Sequence, residues 1–173
     1  MAAEPDLLSH VTFTAPAFLD DVPPEVPAPA QDPAGATGEP ADTAPGPAEA
    51  VPPGERLARA LEAALASRGW ATPYRWATPY GHAFEARRAE HRYDLEIAPV
   101  DLALGSWLVT AVPRRGLFRR FFGGGVDREE HALLLAHLRS ALALDLDVPA
   151  PRWFDEEGWR ASPRGPGAEL PLA

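Results

Sequence analysis

His82, Glu85, His91 and Asp94 bring two imidazoles and two carboxylates into one short stretch of the chain. Those types suit proton transfer or cation binding, since imidazole titrates near neutrality and carboxylates accept protons or ligate. They flank a hairpin: FEARR, residues 84–88, and RYDLEIA, residues 92–98, alternate apolar with polar about a loop of Ala89, Glu90 and His91. A pocket lined by all four would make this a small-ligand-binding protein or an enzyme. A flat aromatic face at residues 70–80 would favour a binding module instead.

Other reactive side chains lack the required context. His131 and His137 are six apart in a helical pattern and do not share a face, so they form no metal pair. Ser9, Ser67, Ser106, Ser140 and Ser162 stand in no nucleophile-elbow pattern. Gly123–Gly125 precede a helix, but Asp127, Glu129 and Glu130 at its start repel phosphate. Asp155, Glu156 and Glu157 lie between Trp153 and Trp159 and read as a solvated turn, or as an acidic-aromatic contact for a basic partner. The sequence thus assigns no catalytic residue, no metal ligand and no cofactor.

Two stretches suit contact better than catalysis. WATPYRWATPY, residues 70–80, repeats a hexad. Pro73 and Pro79 force the residues before them into extended geometry, so it is not helical. As a strand, it sets Trp70, Tyr74, Trp76 and Tyr80 on one face, and the prolines restrict it to a sheet edge. That face is either core or an exposed platform, and large rigid rings are favoured interface anchors. Duplication alone would also account for the repeat. RRGLFRRFF, residues 114–122, places Arg114, Arg115, Arg119 and Arg120 in a stretch free of acids, with Phe118 among its rings. It reads as a short helix capping the core, or as a patch for an anionic partner.

Charge is unevenly distributed. Residues 1–54 hold nine acids and no arginine, whereas the rest holds sixteen of each. This argues against nucleic-acid binding, because phosphates and an acidic tail repel. The absence of lysine, asparagine and cysteine, with abundant Ala, Arg, Pro and Gly, suits a GC-rich genome. With no cysteine there is no disulfide framework. The start has no basic segment of a secretory signal, and the apolar run Leu102–Val112 is too short to span a bilayer. The expectation is a cytoplasmic protein without stable membrane association.

These stretches need elements to hold them. Residues 1–22 contain an alternating segment, residues 7–19, that reads as a strand docking on the domain or as a short motif for a partner. Residues 23–54, rich in Pro and Ala and without aromatics, form a disordered acidic linker; it could also lie across the aromatic stripe or the arginine patch. Leu57, Leu61, Ala64 and Leu65 mark a helix over 55–68 closed by Gly69. Strands follow at the hexad, at 84–88, at 92–98 and at 106–112. Asp127 and Glu130 open a second helix as a capping box, RWFDEEGW, residues 152–159, follows with room for one short closing strand, and 161–173 frays. The prediction is one α+β domain, 55–160: an antiparallel sheet of three to five strands flanked by two main helices.

The order helix, meander, helix resembles the secretion-chaperone-like architecture and that of many small bacterial immunity proteins. The resemblance implies a bacterial protein that binds another protein and carries no activity of its own. The expected contact residues are Trp70, Tyr74, Trp76, Tyr80, Arg114, Arg115, Phe118, Arg119 and Arg120. The partner and the oligomeric state are not legible from the sequence.

Overall fold

The computed structural model describes residues 8–21, 52–114, 127–163 and 165–169. The linker expected over 23–54 lies almost wholly outside them. Six strands form one antiparallel sheet: β1 (Ser9–Thr14), β2 (Arg75–Thr78), β3 (Gly81–Arg88), β4 (His91–Asp101), β5 (Ser106–Pro113) and β6 (Arg152–Asp155). Their order is β2-β3-β4-β5-β1-β6. The helices are α1 (Glu55–Ala66), α2 (Arg128–Ser140) and the short α3 (Glu156–Ala161). The α+β class and antiparallel sheet agree with the sequence reading, whereas the six strands and the third helix exceed it.

Besides the four strands within 70–113, the sheet holds β1, the 7–19 segment docked as a strand, and the short closing strand β6. β1 enters the sheet interior: Val11 is opposite Val109 of β5 on one side and Trp153 of β6 on the other. Its alternation is explained by that position, because Val11, Phe13 and Ala15 are buried. The chain then turns through a 3-10 segment, Pro16–Asp21. Gly105, in the β4–β5 turn, has φ of 62° and approaches so closely that a Cβ there would lie 2.8 Å from Pro16 Cα. The Ala15 N–H donates to the Gly105 carbonyl at 2.8 Å, fixing the exit of β1.

Both long helices cover one face of the sheet. Leu57, Leu61 and Leu65 of α1 and Leu134, Leu135 and Leu138 of α2 share a core with Phe84, Tyr93, Leu95, Ile97, Trp107, Val109 and Trp153. α2 starts as its sequence signals: Asp127 Oδ1 accepts from the N–H groups of Glu129 and Glu130. The capping box is only half realised, since the Glu130 carboxylate instead takes Arg88 Nη1 at 2.9 Å. Beyond Ser140 the helix widens into a π turn, Ala141–Asp145.

Candidate functional site

The four hairpin residues do not converge. Register pairs His82 with Ile97 and Glu85 with Asp94, and alternation puts His82 on the helix face and both acids on the opposite face. His82 Nε2 meets the Pro52 carbonyl at 2.9 Å. His91 lies at the other end of β3–β4, opposite Arg88, with Nε2 3.9 Å from Asp127 Oδ2. None of the four lines the groove of about 570 Å³ beside β6, where Arg139, Val148, Arg152 and Glu169 lie. Among the described residues, no group of three or more His, Asp or Glu is placed to hold a metal.

The hexad is an edge element, as its prolines require, but its rings do not share a face. Trp70 is 1% exposed in the core, whereas Tyr74 and Tyr80 are 67% and 77% exposed. The cause begins at the end of α1. The N–H of Trp70 donates to Leu65 O and that of Gly69 to Ala66 O, with Gly69 at φ 87°. This is a Schellman closure, and the residue after its glycine packs back onto the helix. Register completes the separation. Ala71 bridges Arg87, but Arg75 pairs with Phe84, so one extra residue lies between the two pairings. A slip of one inverts the side chains: Trp70 points under the helices while Trp76, opposite Ala83, points to the other face.

On that other face the half-buried Trp76 meets Arg114, whose guanidinium carbon sits 5.7 Å from the ring centroid. Arg114 Nε donates to Asp94 Oδ2 at 2.6 Å, and Nη1 lies 3.5 Å from Glu85 Oε2. The hydrogen bond to Asp94 raises the Arg114 pKa further. The acid-free run around Arg114 is therefore linear only: its carboxylates come from neighbouring strands. Arg115, Phe118, Arg119 and Arg120 lie outside the described residues.

Three polar contacts were not foreseen. Ser9 Oγ and His131 Nε2 share a buried hydrogen bond of 2.9 Å, and burial lowers the His131 pKa to about 4. Among the described residues, its Nδ1 has no hydrogen-bond partner. Trp70 Nε1 donates to His137 Nδ1 at 2.9 Å. His10 stacks on Trp159 and bonds Glu156 at 2.8 Å. Asp155 caps α3 through the Gly158 N–H, so the carboxylates of the DEEGW stretch mainly dock and cap α3. No sequence pattern announces pairs so far apart in the chain.

The two sheet edges differ. On β6, Trp153 and Ala168 exchange both main-chain hydrogen bonds, at 2.9 and 2.8 Å, which occupies that edge. On β2, the Tyr74 carbonyl accepts from the Glu85 N–H at 2.9 Å. Alternation then directs the main-chain groups of Arg75 and Ala77 away from the sheet. Compared with known proteins, the chain matches no family model, no curated protein and no solved structure.

Proposed function

We propose that the chain is a protein-binding module whose partner docks at the β2 edge, contacting Tyr74, Trp76, Tyr80 and Arg114. The observation carrying this reading is the pairing of a strand edge that has outward main-chain groups with two of its most exposed large rings. Tyr offers a large contact area at low entropic cost, and an added strand would supply main-chain hydrogen bonds. Trp70 no longer belongs to the surface, so the reading rests on three rings and an anchored guanidinium. The prolines flanking β2 limit how long the added strand can be, which favours a defined partner over open-ended self-pairing.

Affinity capture from the native host, comparing wild type with Tyr74→Ser/Tyr80→Ser, tests it. A partner retained by wild type and lost by the variant supports edge docking. Equal recovery by both removes it.

A further inference from the structure

We propose that the partner presents an acidic segment to the face opposite the helices, received by Arg87, Arg92 and Arg114. This deepens the edge-docking reading and rests on it. Register pairs Arg87 of β3 with Arg92 of β4, and the Arg114 N–H donates to the Arg92 carbonyl at 2.8 Å. Three arginines therefore stand in one row across three neighbouring strands, on the face that carries Trp76. Adjacent strands are about 4.8 Å apart, so the row spans about 10 Å.

Like charges directly opposite one another repel, and a sheet seldom places them so without compensation. Arg114 is compensated by Asp94 and Glu85. Arg87 and Arg92 are exposed, and among the described residues no carboxylate lies within ion-pair distance of either. On the edge side the row ends at Ala71, which bridges Arg87. Its small side chain leaves the row open toward the β2 edge, near exposed Tyr74.

Guanidinium groups bind carboxylates with two parallel hydrogen bonds. In an extended segment, carboxylates at alternate positions lie about 7 Å apart on one side, within the span of the row. Charge complementarity thus specifies an acidic, extended protein segment. A protein segment fits better than a nucleic acid, because the row opens toward the β2 edge, whose outward main-chain groups suit an added strand.

The test is fluorescence anisotropy on the full chain with a labelled decapeptide alternating Glu and Val. Its Gln-for-Glu analogue and a thymidine decamer are the comparison probes. The Glu peptide should bind and weaken with salt, and Arg87→Glu/Arg92→Glu should reduce its affinity by about tenfold or more. Arg87→Gln/Arg92→Gln should give an intermediate loss, with circular dichroism confirming that both variants fold. Failure of the Glu peptide to bind, undiminished binding by folded variants, or tighter binding of the thymidine decamer would overturn the inference. If the charge variants bind the peptide normally while the Tyr74/Tyr80 variant still loses its native partner, only the acidic-segment inference fails. If the tyrosine variant keeps that partner, the edge reading fails as well.

Discussion

Ser9 Oγ and His131 Nε2 are joined by a hydrogen bond of 2.9 Å between residues 122 positions apart. The bond ties β1, the described segment nearest the start of the chain, to the first turn of α2. Both residues are buried, so both depend on the imidazole staying neutral.

That dependence gives a pH signature. The folded-state pKa of His131 is lowered by burial from 6.5 to about 4. The unfolded chain therefore takes up a proton at a higher pH than the folded one does. The stability held by the neutral ring is present in full above 6.5 and is lost as pH falls toward 4, up to about 3 kcal/mol. Urea unfolding at pH 7 and 4.5 should show a steeper loss for wild type than for His131→Phe. Equal losses would mean that the ring is not held neutral.

The rings of the hexad should respond differently to the same kind of change. Trp70→Ala empties a core site and should cost about 3–5 kcal/mol. Tyr74→Ala and Tyr80→Ala should fall within about 0.5 kcal/mol of wild type, as exposed sites do. Chemical denaturation of the three variants checks this.

Removing residues 1–21 should abolish cooperative unfolding. β1 is the only strand between β5 and β6, so its loss exposes one edge and separates β6 from the sheet. Val11→Asp should act in the same direction by placing an unpaired charge in the core. Thermal melts with size-exclusion chromatography would show the effect. A truncation to the globular part therefore has to keep this strand.

Asp127→Ala should destabilise by about 1 kcal/mol through loss of the α2 cap. Glu130→Ala should cost less, since its part-exposed pair with Arg88 is worth about 0.2–1 kcal/mol. The reverse ranking in urea melts would assign Glu130 the larger role.

Local signals in the sequence read well. Gly69 after α1, Asp127 before α2 and the 92–98 alternation all correspond to the structure because each acts over a few residues. The hexad did not, because its identical letters meet different neighbours: the first Trp follows a helix-closing glycine, the second sits in a strand. The one-residue slip at Ala71–Arg75 is a tertiary pairing that periodicity does not encode. The ion partners of Arg114 were hidden for the same reason, being contributed by strands twenty or more residues away. The alternation of residues 7–19 revealed a strand but not that it would lie inside the sheet.

The most direct test of edge docking is photocrosslinking in the native host, with a benzophenone side chain at position 74, 80 or 144. Leu144 is as exposed as Tyr80, at 77%, but lies on the π turn after α2. The account predicts one discrete adduct from positions 74 and 80 and none from 144. Equal labelling from all three positions, or from 144 alone, would contradict it.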